Sequence, residues 1–396
     1  MDWRTCWPGI TTSRVTQSWK AVRSMMKAQF RRLGVWSALL LVLNVGADVE
    51  INRYPLAKRA MPDLAGAVEG LLVGHEVMLG DALSEADCQA FGQQLWERAT
   101  KGSPTDDRSL YWARLAALQH LTPSSNAIRE TAIHQRCRSG FEAASRGRAG
   151  LSWKEGHYRL LVSGFDPFLL DRNIEQSNPS GLAALRLDNQ VLESLDGTLI
   201  HVRAVIFPVR FGDFDQGTLE SLLGPLMREG RIDAFVSISM GRDAFDLERF
   251  PGRRRSASSP DNLNLLSGGS DKAPIVPKLG EAELEGPEFL EFSLPAERMQ
   301  SRVGSWLVRD NREVTTLERG TLTAESLVSL ADQIAVRGSG GGYLSNEIAY
   351  RALNVMRQAD RVIPMGHIHT PRMTAFDPAF LDDVVQQVKG MLQEIP

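Results

Sequence analysis

Strand runs that alternate with amphipathic helices predict an α/β protein. The expected fold is three layers, α/β/α, around a mostly parallel central sheet, preceded by an all-α N-terminal extension. Three observations lead there. From Tyr158 onward, short apolar runs end in glycine or small residues and are followed by helical segments. Before residue 150, apolar residues recur at helical spacing. Several polar, glycine-bearing motifs follow directly on the strand runs, where parallel sheets carry their functional loops.

The N-terminus reads as an export signal. Arg31-Arg32 precede the apolar run Val35–Leu43, and Val45-Gly46-Ala47 offers small residues for cleavage. The run is short for a bilayer span. A start at Met25 or Met26 would give the basic segment an ordinary length, and the arginine pair resembles a twin-arginine signal. Residues 1–47 are therefore expected to be a signal peptide, and the mature chain to be periplasmic or secreted. The whole chain carries a formal charge of −3. Removing this basic segment leaves −9. That balance, without a basic patch interleaved with aromatics, excludes general nucleic-acid binding. Arg253-Arg254-Arg255 is too short to change this and reads as a solvated loop.

Residues 48–150 form the expected helical extension. Ser84-Glu85-Ala86-Asp87 starts one helix, Pro104 and Asp106-Asp107 a second, and Ser124-Ser125-Asn126 a third. The apolar positions are core signals, and no chemistry is assigned to them. Of three cysteines, Cys6 falls in the signal segment. Cys88 and Cys137 are either one disulfide or two buried thiols.

The α/β domain begins with strand Tyr158–Ser163. Asn178-Pro179-Ser180 opens a helix, Leu199–Val209 is a second strand, a helix surrounds Leu219–Arg228, and Ala234–Ser239 is a third strand. Residues 251–287, rich in Pro, Gly, Ser and charge, read as loop. Helix Ser345–Arg357, strand Arg361–His367 and the amphipathic helix Asp377–Leu392 complete the domain.

The chemistry centres on Ser345. The glycine-bearing run Gly341-Gly342-Tyr343-Leu344 leads into a helix with this hydroxyl at the junction, where helix N-terminal amides favour developing negative charge. Gly366-His367-Ile368-His369-Thr370-Pro371 places a candidate base at a strand end. Gly164-Phe165-Asp166-Pro167-Phe168 can present two rings to one small pocket. No metal-ligand spacing occurs, and Gly338-x-Gly340-Gly341-Gly342 lacks the lysine of a phosphate-binding loop, so no cofactor is expected.

In order, Gly164–Phe168, Asn178-Pro179-Ser180, Phe207–Gly212, Gly241–Arg249, Pro260-Asp261-Asn262, Phe292–Pro295, Ser339–Asn346 and Gly366–Pro371 resemble the motifs of the pyroglutamyl peptidase I family of cysteine peptidases. The resemblance covers residues 157–394, with an insertion near 303–330. It implies removal of N-terminal pyroglutamate from peptides. It makes position 345 the nucleophile, His369 the base, Glu248 the residue orienting the base, and Phe165 and Phe168 the walls around the lactam ring. It also implies a homo-oligomer, which the extension and insertion could block. The chain departs from the family in four places. Ser345 stands where the family has cysteine, and Ser258 where it has the arginine of Arg-x-Pro-Asp-Asn. Leu169-Leu170 replaces two glycines, and the insertion is the fourth. The expected activities are accordingly a pyroglutamyl hydrolase, an inactive homologue binding lactam-capped ligands, or a serine hydrolase with another substrate.

Overall fold

A computed structural model describes residues 49–73, 84–121, 132–301 and 304–396. The expected signal peptide and the expected helix start at Ser124 lie outside the described residues. The fold is three-layered, α/β/α, around a mixed, mostly parallel seven-stranded sheet.

The strands, in chain order, are β1 (Tyr158–Phe165), β2 (Val191–Glu193), β3 (Leu199–Phe207), β4 (Ala234–Met240), β5 (Phe245–Glu248), β6 (Lys278–Leu279), β7 (Ala282–Glu283), β8 (Val308–Asn311), β9 (Glu313–Thr316), β10 (Gly320–Thr323), β11 (Ala335–Arg337) and β12 (Met365–Thr370). The main sheet runs β2-β3-β1-β4-β12-β5-β8. Strands β3, β1, β4 and β12 are mutually parallel, whereas β2 is antiparallel to β3 and β5 antiparallel to β12. β1 and β4 are buried almost along their whole length, as expected of strands covered on both faces.

Helix Pro179–Leu187, capped by Asn178, packs against β1, β3 and the C-terminal helix Pro378–Leu392. Helix Leu344–Gln358 packs against β12, β4 and helix Thr218–Arg228. Residues 303–330 contribute edge strand β8 and the hairpin β9–β10, with β11 completing a three-stranded sheet. Residues 251–287 are mostly loop, with the small hairpin β6–β7.

Two boundaries differ from the sequence reading. β12 starts at Met365 instead of Arg361, because Pro364 has no amide hydrogen to donate to a ladder. That shift puts His369 within the strand. Helix Leu344–Gln358 is preceded by Tyr343 at its N-cap, so Ser345 lies in the first turn and is not the cap.

The N-terminal helical region comprises a helix over 49–60 and helices Pro62–Leu72, Glu85–Thr100, Arg108–His120 and Ala132–Ala144. Ser84 caps its helix in a reciprocal box with Asp87. These helices share one hydrophobic core with the sheet domain, from Ile51 through Trp112 to Ile395. Among the described residues, no helix is long and apolar enough to cross a membrane.

Cys88 and Cys137 form a disulfide between helices Glu85–Thr100 and Ala132–Ala144. It closes a loop of 49 residues. Chain entropy alone gives such a loop about 4 kcal/mol of stabilisation. The Cys88→Ala/Cys137→Ala double variant is therefore expected to lose stability on that scale in urea unfolding, and an unchanged midpoint would refute the expectation.

Candidate functional site

The site residues gather at the carboxyl ends of β1, β4 and β12. A mostly apolar hollow of about 40 Å³ lies there, lined by Phe165, Phe168, Val209, Met240, Tyr343 and Leu344. Its polar lining is Asn178, Ser239 and Ser345. That volume corresponds to roughly three water-sized sites. Phe165 is buried and stacks on Phe214 with centroids 6.3 Å apart, while Phe168 is half-buried. Tyr343 meets Phe211 edge-on at 5.4 Å and donates its hydroxyl to Pro260 O at 2.9 Å.

Ser345 is half-buried, and its hydroxyl donates to Gly340 O at 3.2 Å. The helix behind it is held firmly. Asn346 accepts from Gly252 N at 2.8 Å and donates to Gly252 O at 2.7 Å. Buried Glu347 accepts from Arg255 at 2.5 and 2.7 Å and from Arg351 at 2.7 Å. Burial alone would raise the carboxyl's pKa, but Arg255 and Arg351 hold it below its ordinary value. This corrects the reading of Arg253-Arg254-Arg255 as a solvated loop. Arg255 is buried against Glu347, and Arg253 and Arg254 both pair with Glu288.

Glu248 and His369 meet on adjacent strands. His369 Nδ1 and Glu248 Oε1 are 2.5 Å apart, and Asn311 donates to Glu248 Oε2 at 2.9 Å. Glu248 is buried, which pushes its pKa up, and the neighbouring His369 opposes that shift. Such a carboxylate can fix a histidine's tautomer and ring orientation. Gly241 leaves room for the ring: a Cβ there would lie 2.6 Å from His369 Cβ.

Ser239 connects the two halves of the site. It lines the hollow with Ser345, and it is the β4 register partner of His369. Its hydroxyl lies 2.8 Å from His367 Nε2, while Ser237 lies 2.8 Å from His367 Nδ1. His367 is fully buried, and burial holds its pKa well below the ordinary value. It is therefore neutral and structural. Among the described residues, no group of three or more His, Cys, Asp or Glu is arranged to hold a metal.

The helical region, to which the sequence assigns no chemistry, buttresses this site. Asp166, between the two pocket phenylalanines, is buried against Arg146 at 2.6 Å and Arg114 at 3.7 Å. Glu142 takes contacts from Arg114 at 2.5 Å, Arg146 at 3.0 Å and Arg210 at 3.5 Å. Although burial would raise its pKa, these arginines hold Glu142 well below the ordinary carboxylate range. Arg53 donates to Asn262 O at 2.5 Å, and Asn262 donates to Pro167 O at 2.9 Å. Leu169 adopts a left-handed φ of 60°. A leucine is strained in that conformation.

Asp107 provides the remaining support. It accepts from the Ser177 hydroxyl and from Asn178 N at 2.9 Å, so it positions the pocket's Asn178. Burial pushes its carboxyl up to about 7 from 3.8, with Asp106 adding to the shift. Between those pH values the folded protein keeps a proton that the unfolded chain has released. The resulting stability is full below the lower value and is lost as pH rises through the upper one. Asp107→Asn is expected to remove a slope of at most about 1.4 kcal/mol per pH unit from that window. Urea unfolding of parent and variant across it measures the difference, and identical pH profiles would show that another group carries the dependence.

The model of the family described as "PA0049, C-terminal domain" matches residues 159–310 and 308–374. The Pseudomonas aeruginosa protein PA0049 is 29% identical over 359 residues, covering 69% of this chain and 64% of that protein. The chain thus spans somewhat less than two thirds of that relative's length. Among solved structures, pyroglutamyl peptidase I of Bacillus amyloliquefaciens has a TM-score of 0.42 at 18% identity, covering 60% of this chain and 97% of that one. Pyrrolidone carboxyl peptidase of Thermococcus litoralis has a TM-score of 0.41 at 15% identity, covering 60% and 93%. With more than half of its residues matched by the family model, the chain belongs to the PA0049 C-terminal domain family.

Proposed function

We propose that this protein is a hydrolase that removes N-terminal pyroglutamate from peptides, using Ser345 as nucleophile, His369 as general base and Glu248 as the residue that orients the base. The observation that carries this reading is the 2.5 Å contact between His369 and buried Glu248, one strand from a small apolar hollow that contains Ser345. The resemblance of the ordered motifs supplies the substrate class.

In this mechanism the lactam ring enters the hollow between Phe165 and Phe168. The Ser345 hydroxyl attacks the pyroglutamyl carbonyl carbon as His369 Nε2 accepts its proton. Glu248 stabilises the imidazolium formed. Negative charge on the former carbonyl oxygen develops near the N-terminal amides of helix Leu344–Gln358. Collapse breaks the amide C–N bond, and His369 returns the proton to the leaving amine. Water, deprotonated by the same histidine, then hydrolyses the acyl-enzyme and regenerates Ser345. The leaving peptide is the partner that this reading requires.

One observation favours a second reading, a lactam-binding protein without turnover. The Ser345 hydroxyl donates to the Gly340 carbonyl, a bond that must break before the proton can pass to a base. The two readings separate on a fluorogenic pyroglutamyl amide tested with the parent, Ser345→Ala and Ser345→Cys. The hydrolase reading expects parent activity and a loss of roughly 10⁴-fold or more in the alanine variant. Parent turnover that survives Ser345→Ala would remove Ser345 from the mechanism. A silent parent alongside an active cysteine variant would establish a binding pocket whose nucleophile has been exchanged. Export to the periplasm or medium is part of the same proposal, resting on residues 1–47, and is checked by fractionation and N-terminal sequencing of the mature protein.

A further inference from the structure

A second, larger hollow adjoins the Ser345 loop at Gly341-Gly342. It encloses about 460 Å³ and is open to solvent. Gly341 and Gly342 form one wall, and Arg242, Ser256, Lys272 and Arg337 contribute to the rest. Its charge contrasts with the chain's formal −3. Arg337 is neutralised by Asp271, to which its Nε donates at 2.9 Å. Arg242 and Lys272 are exposed, and neither forms an ion pair with a described residue. The nearest acid in sequence to Arg242, Asp243, is already paired with Arg309 at 3.0 Å.

Ser256 ties the hollow's wall to the Ser345 loop. The residue is 4% exposed, it lines the hollow, and its hydroxyl, buried against Gly342, has no hydrogen-bond partner among the described residues. A buried hydroxyl without a partner is costly to maintain. The Ser256 and Ala257 amides both donate to Gly342 O at 3.1 Å, which fixes this segment against the nucleophile loop. A Cβ at position 342 would lie 2.0 Å from the Ser256 hydroxyl, so glycine there is what leaves that oxygen its place.

We propose that this hollow is a carboxylate subsite, which receives the C-terminal carboxylate of a short peptide leaving group. The inference rests on the reading of Ser345 as nucleophile given above. Gly342 is three residues from Ser345, at most ~11 Å along the chain, a distance that one or two residues beyond the scissile bond span. With the lactam on the phenylalanine side, the leaving peptide runs past Gly341-Gly342. Its terminal carboxylate then meets Arg242 and Lys272. The substrates favoured are therefore pyroglutamyl di- and tripeptides with a free carboxyl end.

Calorimetry on the full chain carrying Ser345→Ala, which cannot turn over, tests this. The probes are pyroglutamyl-alanine against its amide, and acetyl-alanyl-alanine against its amide. The acid is expected to bind about fivefold tighter than the amide. That ratio should fall to about one in Arg242→Gln/Lys272→Gln, persist in Arg242→Lys, and decline with salt. A ratio of one in the parent, or a ratio that survives the double glutamine variant, would overturn the subsite. Tighter binding of pyroglutamyl-glutamate diamide than of pyroglutamyl-alanine would overturn the chain-end assignment in favour of an acidic side chain. An acid preference equal in both pairs, with no preference for the lactam, would keep the subsite and overturn the pyroglutamyl reading. A lactam preference without an acid preference would do the reverse, and no binding by any probe would overturn both.

Discussion

The placement of the pocket depends on one buried charge. Asp166 sits between Phe165 and Phe168, withdrawn from water, and its countercharges Arg146 and Arg114 come from outside the sheet domain. A buried carboxylate is tolerable only when paired, and removing one partner from such a pair typically costs 3–5 kcal/mol, roughly. The helical region is thus part of the site's foundation. Glu142 and Arg210 extend the same network to Glu50, whose carboxylate also accepts from Tyr111 at 3.0 Å. Every acid and base here constrains the next, so the phenylalanine loop has little freedom to move alone.

A second buried network does the same on the opposite wall. Glu347, one turn into the helix that carries Ser345, is clamped by Arg255 and Arg351, and Arg351 reaches Glu220 at 2.7 Å. The hollow therefore lies between two elements anchored by charge in the interior. Neither anchor touches the hollow itself. This is the arrangement expected of a preorganised site, in which supporting contacts fix groups that face the ligand.

The sequence displayed the elements of this site more clearly than their supports. Phe165, Phe168, Ser345 and His369 each sit in a short motif flanked by glycine or proline, so local pattern was enough to single them out. Glu248 was harder. In sequence it stands next to Arg249, and only the antiparallel placement of β5 against β12 buries it beside His369. Ser239, Asn311 and Asp107 carry no local signal of a role at the site, because those roles arise from partners between 63 and 128 residues away. The buried arginines were illegible for the same reason. An arginine on an amphipathic helix normally reads as solvent-facing, and its partner is fixed only by tertiary packing. The short strands β2 and β5 were missed because three or four residues carry too little periodicity to register.

The ladder around β12 has a consequence for how this site can change over time. His369 is aligned with Ser239 on one side and with Asp246 on the other, inside the sheet. Sliding this strand by a single residue would turn His369 to the opposite face and uncouple it from Glu248. The contact between His369 and Glu248 is therefore fixed by the strand ladder itself. Leu169 and Ser258 belong to connections between elements and Ser345 to the first turn of helix Leu344–Gln358, so none of the three is held by the strand ladder. The loops around the hollow can change without moving the His369–Glu248 pair. The histidine–carboxylate contact can thus outlast changes in the loops that shape the hollow.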